Sequence, residues 1–254
     1  MRLRVFTNNI HKGVCIQNRR YVLPGIRAEL LAVDPDIVFL QEVQGNHLRR
    51  QRRFVDWADA SQEQYLAQER WPFAVYGRNA SYPAGHHGNS ILSKYRIEAW
   101  RNYDVSTTSF ERRGVLYALV RVDDEPLHCF CVHFDLRPAG RIMQFAELAR
   151  LVRTTVPDDQ RVIVAGDFND PGTRGARLLT QVGLQDCFLR RHGRRGRTFP
   201  TPFPLLALDR ILVKNISVTD TQVLATARWK NLSDHFPVVS DCLLGGRRYG
   251  MLEG

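Results

Sequence analysis

The stretch Arg161-Val162-Ile163-Val164-Ala165-Gly166-Asp167-Phe168-Asn169-Asp170 decides the architecture. Its apolar, largely β-branched run reads as a buried strand, and the glycine with the acids and amide that follow reads as the loop where that strand ends. The pattern recurs along the chain. Glu42 follows Ile37-Val38-Phe39-Leu40, His133 closes Cys129-Phe130-Cys131-Val132, and Asp209 opens Ile211-Leu212-Val213. Polar residues at the tips of buried strands gather along one edge of a layered protein, where a rigid scaffold can aim them at one point.

Working outward, strands are expected at 3–10, 37–41, 73–76, 90–93, 115–122, 128–134, 161–165, 210–213 and 238–242, mostly bounded by Gly, Pro, Asn or Asp. Helical periods are expected at 26–33, ended by Asp34-Pro35, at 46–60, at 141–155 and at 173–181. Strand pairs adjoin in the middle of the chain and helices follow particular strands. That order predicts an α/β fold, a four-layer α/β sandwich of two mostly antiparallel sheets packed face to face with helices outside. No linker, charge block or low-complexity tract divides the chain, so residues 1–254 are expected to form a single domain.

The net charge is +10 and almost all of it is arginine, the only lysines being Lys12, Lys94, Lys214 and Lys230. Such a balance suits a polyanionic partner, because a guanidinium grips phosphate through two parallel hydrogen bonds; an ordinary solvated surface is the plainer reading. Five scattered cysteines in mostly apolar surroundings fit buried reduced thiols better than a disulfide framework. Cys129 and Cys131 are expected on one face of a strand. The start, Met1 to Phe6, has no apolar run of signal-peptide type, and no stretch approaches the roughly 20 apolar residues of a membrane span, so a cytoplasmic location is expected.

Taken singly, the polar tips have structural readings. Asp167, Asn169 and Asp170 could cap their own backbone at a strand-to-turn junction, Ser233-Asp234 could cap a turn before Pro237, Asp209 could pair with Arg210, and His133 could be a satisfied core histidine. Their joint occurrence in this order is far harder to attribute to turns alone.

The combination strongly resembles the endonuclease/exonuclease/phosphatase superfamily of metal-dependent phosphoesterases. That group includes deoxyribonuclease-I-like nucleases, apurinic endonucleases, neutral sphingomyelinases and inositol polyphosphate 5-phosphatases. The resemblance is carried by Asn9 in Thr7-Asn8-Asn9-Ile10, Gln41-Glu42-Val43, Gly88-Asn89-Ser90, Val132-His133-Phe134, Gly166-Asp167-Phe168-Asn169, Leu208-Asp209-Arg210 and Ser233-Asp234-His235. A narrower likeness to an uncharacterised bacterial subgroup rests on His11-Lys12-Gly13, Gly77-Arg78-Asn79-Ala80 and Gly85-His86-His87-Gly88.

The resemblance implies that Glu42 is the principal ligand of Mg²⁺ or Mn²⁺, with Asn9 beside it and Asp234 assisting, a hard oxygen set suited to those ions. It implies that Asp167 positions or deprotonates the attacking water, Asn169 donates to the developing charge, and His235 contacts the phosphate or acts as base, oriented by Asp209. His133 would be a second phosphate-facing imidazole. Arg113, in Phe110-Glu111-Arg112-Arg113-Gly114, and Asn89 are expected to bind substrate. Where deoxyribonuclease-I-like enzymes pair their first histidine with a glutamate, this chain has His86 and His87, read either as metal ligands or as hydrogen-bonded loop residues.

The implied substrate is a phosphate ester, with DNA or RNA expected first. The basic residues at 49–53 and 190–197 and Arg247-Arg248 would hold the backbone, and Trp57, Trp71, Tyr82 or Trp229 would stack bases. An anionic membrane surface, with a phospholipid headgroup or inositol-phosphate-like ester as substrate, is the alternative, and the apolar segment 198–207 suits it. A catalytically silent binding protein on the same scaffold is the third reading.

Overall fold

The computed structural model describes residues 1–172 and 174–245. In chain order the elements are β1 (Arg2–Asn9), a 3-10 turn (His11–Gly13), α1 (Leu23–Val33), β2 (Ile37–His47), α2 (Leu48–Arg53), α3 (Gln62–Ala67), β3 (Phe73–Tyr82) and β4 (Gly85–Ser93). There follow β5 (Ile97–Asp104), β6 (Gly114–Val122), β7 (Glu125–His133), α4 (Pro138–Thr155), β8 (Arg161–Asp167) and α5 (Arg174–Thr180). The chain closes with β9 (Gln185–Asp186), α6 (Cys187–His192), β10 (Asp209–Lys214), β11 (Ser217–Val223), a 3-10 turn (Trp229–Asn231) and β12 (Val238–Leu243).

The strands form two six-stranded sheets, ordered β11-β12-β1-β2-β4-β3 and β5-β6-β7-β8-β10-β9. Each is antiparallel except for one central parallel pair, β1 with β2 and β7 with β8, joined across α1 and α4 respectively. Because side chains alternate along a strand, each central strand is apolar on both faces. Val5, Ile37 and Phe39 meet Cys129, Cys131, Ile163 and Ala165 between the sheets. Phe6, Val38 and Leu40 turn outward under α1 and α3, while Phe130, Val132, Val162 and Val164 turn outward under Phe145, Leu148 and Val152 of α4. Three apolar layers between four layers of backbone make the expected α/β sandwich, and all five cysteines are buried and free.

The differences lie at the edges. The helix expected at 46–60 is reduced to α2: Asn46 and His47 still belong to β2, and Phe54 is already extended. None of the α2 side chains is buried, so nothing apolar extends it. Edge strands β5 and β11 and the short α3, β9 and α6 were not expected, and β3 and β4 run on to Tyr82 and back from Gly85 as one long hairpin. Trp71 and Trp229 are 0% and 1% exposed in the layer under α1, which removes them as base-stacking platforms. Thr173, expected to open a helix, and Arg247 and Arg248 lie outside the described residues.

Candidate active site

The carboxyl ends of the two parallel pairs meet at one edge of the sandwich. Asn9 ends β1, Glu42 lies within β2, His133 ends β7 and Asp167 ends β8, while Asp209 begins β10 directly opposite Asp167. The 232–237 loop brings Asp234 and His235 to the same edge. Asn9, Glu42, His133, Asp167, Asp234 and His235 line a cleft of about 420 Å³, with Arg113, Leu136, Arg141, Asn169, Phe199 and Leu206 on its walls and Asp209 behind His235.

Local strain aims several of them. Glu42 sits at φ 56° where the β2–β4 register slips between Leu40 and Val43, and this bulge turns its carboxylate out of the ladder. Asn169 (φ 48°), His11 (φ 45°) and Lys12 (φ 59°) are also left-handed, a backbone state that non-glycine residues hold only when the surroundings enforce it. For the 167–170 loop the enforcement comes from Phe168, which is wholly buried with its ring 5.4 Å from Phe134 and 5.7 Å from Phe145. Buried Arg210 lies over the same ring and donates to the Asp170 carbonyl.

Asp167 is the hub. Its Oδ1 accepts the Asn169 backbone N–H at 2.8 Å, and its Oδ2 accepts Asn9 Nδ2 at 3.2 Å. The same Oδ2 lies 3.6 Å from His133 Nε2 and 3.8 Å from His235 Nε2. His235 is fixed through every polar atom of its backbone: Ser233 Oγ accepts its N–H, and Asn8 Nδ2 donates to its carbonyl. Its ring packs 4.7 Å from Phe199, and Nδ1 lies 2.8 Å from Asp209 Oδ2, with both residues buried. Burial lowers the His235 pKa, but Asp209 and Asp167 outweigh it and the imidazole is held above its usual value, protonated at neutral pH. Burial, reinforced by Asp209 and opposed by His235, raises Asp167 above the usual carboxylate range. Burial and then Arg113 push His133 well below 6.5, so it faces the cleft neutral.

On the opposite wall Lys12 Nζ donates to Glu42 Oε2 at 2.8 Å. Burial raises the Glu42 pKa, yet Lys12 above all brings it below the usual range, so the carboxylate stays ionised. Asp234 lies beside His11, with Oδ2 3.4 Å from Nδ1. Asn169 Nδ2 donates to the Phe134 carbonyl at 2.9 Å, leaving its second amide proton available.

Of the residues singled out in the sequence, Asn9, Glu42, Arg113, His133, Asp167, Asn169, Asp234 and His235 line the cleft, with Asp209 directly behind His235. Asn89 is elsewhere: fully buried, it donates across the sheets to the Gly114 and Cys131 carbonyls, which is a structural tie. His86 bonds Tyr76, and His87 is pushed down to about 4 by burial despite the pull of nearby Glu42. Sequence reasoning missed Lys12 and Arg141, while Phe199 and Leu206 come from the apolar 198–207 segment already singled out. For Lys12 a signal existed in His11-Lys12-Gly13, but its reach to Glu42 depends on the left-handed turn.

Comparison with known proteins gives the same outline. The model of the Endonuclease/Exonuclease/phosphatase family matches residues 10–235. Uncharacterized protein YbhP of Escherichia coli K12 is 46% identical over 241 residues, which span 94% of this chain and 95% of that protein. Among solved structures, TDP2 of D. rerio in complex with a single strand DNA product has a TM-score of 0.70 at 18% identity, covering 95% of this chain and 99% of that one. The mannosyl-6-phosphatase Bt3783 of Bacteroides thetaiotaomicron VPI-5482 has the same TM-score, identity and coverage. Likeness at that identity concerns the fold.

Proposed function

Because the chain belongs to the endonuclease/exonuclease/phosphatase family, whose members support a phosphoesterase-type activity, we propose that it is a divalent-metal-dependent phosphodiesterase. The observation that supports this reading best is the convergence, across the sheet interface, of ionised Glu42 with the His235–Asp209 pair around Asp167.

The donor set of the cleft fits a hard cation. Glu42 and Asp234 offer carboxylates and Asn9 an amide, with no thiol among the lining residues. Asp167, Asp209 and His235 also bring ligand atoms within 4.8 Å of one another, but the Asp209–His235 hydrogen bond commits that group to orienting the imidazole. Glu42, Asn9 and Asp234 would hold Mg²⁺ or Mn²⁺, which supplies charge neutralisation at the phosphoryl oxygens.

The remaining steps fall to the chain. Asp167, whose carboxyl is raised toward neutrality, orients a water and accepts its proton as the water oxygen bonds to phosphorus. His235, with Nδ1 given to Asp209, presents Nε2–H to a phosphoryl oxygen, while Asn169 and Arg113 add donors along the wall. The P–O bond to the departing alkoxide breaks, and that oxygen takes up a proton from solvent. Phe199 and Leu206 limit water on the side of the 199–206 loop.

The test is turnover of bis-p-nitrophenyl phosphate and p-nitrophenyl phosphate with and without Mg²⁺ or Mn²⁺. We expect metal-dependent cleavage of the diester, reduced about 10²–10⁴-fold by His235→Ala and about 10–100-fold by Asp209→Asn. Turnover that survives EDTA and both substitutions would overturn the assignment.

A further inference from the structure

Among the described residues sixteen large hydrophobic side chains are exposed, and five of them lie on three segments that frame the cleft. On one side, the 199–206 loop, whose Phe199 and Leu206 line the cleft, carries Phe203 and Leu205 at 77% and 66% exposure. On the other, Leu136 lines the cleft yet is 64% exposed. The third segment, 105–113, is tied to that side by Thr107 Oγ1 to Asp135 at 2.7 Å and Arg137 to Thr108 at 3.0 Å, and it ends in Phe110 at 98% exposure.

Burying so much apolar surface around a functional opening is favourable only against another apolar phase. Charge adds a direction. Arg194 and Arg197 are exposed just before the 199–206 loop, and among the described residues neither has an ion pair. An apolar rim with basic flanks is the chemistry of a surface that sits in the headgroup region of an anionic bilayer. A nucleic-acid groove would present flat rings throughout, whereas on this rim Phe110, Phe199 and Phe203 are interleaved with Leu136, Leu205 and Leu206, which have no π-face to stack.

We propose that the mouth of the cleft docks on an anionic phospholipid bilayer and that the ester hydrolysed there is a lipid headgroup phosphodiester. This rests on the phosphoesterase reading above. Docking places the apolar rim among the acyl-chain boundary and brings a phosphate at headgroup depth over Asp167 and His235. Hydrolysis then follows the same balance: water adds to phosphorus, one P–O ester bond breaks, and the freed alcohol leaves protonated.

The experiment is co-sedimentation of the full chain with vesicles of equal parts phosphatidylglycerol and phosphatidylcholine, and with phosphatidylcholine alone, at about 0.15 M ionic strength. The expected result is binding to the anionic vesicles that falls about tenfold or more in Phe203→Ser/Leu205→Ser and stays unchanged in Trp100→Ser, an exposed apolar site elsewhere. Phe110→Ser repeats the test on a separate segment should the double variant fail to fold. Absence of vesicle binding overturns the proposal, as does binding that salt abolishes and these substitutions leave alone. Single-stranded DNA binding lost in the same variants would overturn it in favour of nucleic acid. Hydrolysis of bis-p-nitrophenyl phosphate needs no bilayer, so loss of docking and loss of the phosphoesterase reading are separately visible.

Discussion

Gly166 is where a single methyl group should do most harm to the site. It pairs with Val132 across the parallel β7–β8 ladder at φ 146°, and a Cβ built there would meet the Val132 carbonyl oxygen at 2.0 Å and its backbone nitrogen at 2.9 Å. Restoring ordinary contact at 3.4 Å requires the strands to separate by the difference, about 1.4 Å, at the step before His133 pairs with Asp167. Neither obstacle is a flexible side chain, so the backbone must yield; overpacking of this kind costs about 1–3 kcal/mol and the left-handed strain about 1–2 kcal/mol more. The displacement falls on Asp167, the residue proposed above to orient water, and a shift of about 1 Å in a reacting group can cost about 10²-fold. Gly166→Ala should therefore lose about 2–5 kcal/mol in urea denaturation and about 10²-fold in kcat on bis-p-nitrophenyl phosphate. Gly193→Ala is the control, because Gly193 closes α6 at φ 68° with nothing within 4 Å of a Cβ, so it should cost only about 1 kcal/mol and no activity. A Gly166→Ala protein with native stability and turnover would refute the reasoning.

Two further outcomes follow from charges in the fold. Lys12→Met removes the ammonium 2.8 Å from Glu42, so a divalent cation no longer shares that carboxylate with a like charge; half-saturation of Mn²⁺-dependent thermal stabilisation should fall about tenfold, and unchanged or weaker binding would contradict it. His128 is buried between the Tyr117 hydroxyl at 3.0 Å and Gln160, and burial lowers its pKa below 6.5. The fold therefore holds it neutral, and its stabilisation is complete above pH 6.5 and lost as pH falls through the depressed value. His128→Gln should lose less stability than the parent between pH 7 and pH 5, and parallel melting curves would exclude that role.

What the sequence disclosed depended on burial. The central strands were legible because both faces are covered, so the apolar run is continuous and its end is marked by a polar residue; Asp167, His133 and Glu42 were found by that ending. Edge strands β5 and β11 were not legible, because half-exposed edges mix polar residues through the pattern: Glu98 to Arg101 are all exposed. α3 does carry a sequence signal, the capping box of Ser61 and Gln64. The helix expected at 46–60 stops after Arg53 because α2 buries none of its side chains, and its arginines leave no apolar stripe to carry it further. Lys12 and the apolar rim depend on where loops turn, which residue spacing does not encode.

Since Glu42 and Asp167 belong to different sheets, the site exists only if the sheets stack in one register. Apolar packing between them is weakly directional and would tolerate a slide, but buried polar groups would not. Gln41 donates to Cys131 Sγ at 3.3 Å, Cys131 donates in turn to the Leu40 carbonyl at 3.4 Å, and Asn89 reaches the Gly114 and Cys131 carbonyls. All lie beneath the cleft, and a shift of one strand step would orphan them together. Asn89 thus bears on the proposed chemistry from outside the cleft, through the interlock that keeps the Glu42 wall facing the His235–Asp209 pair.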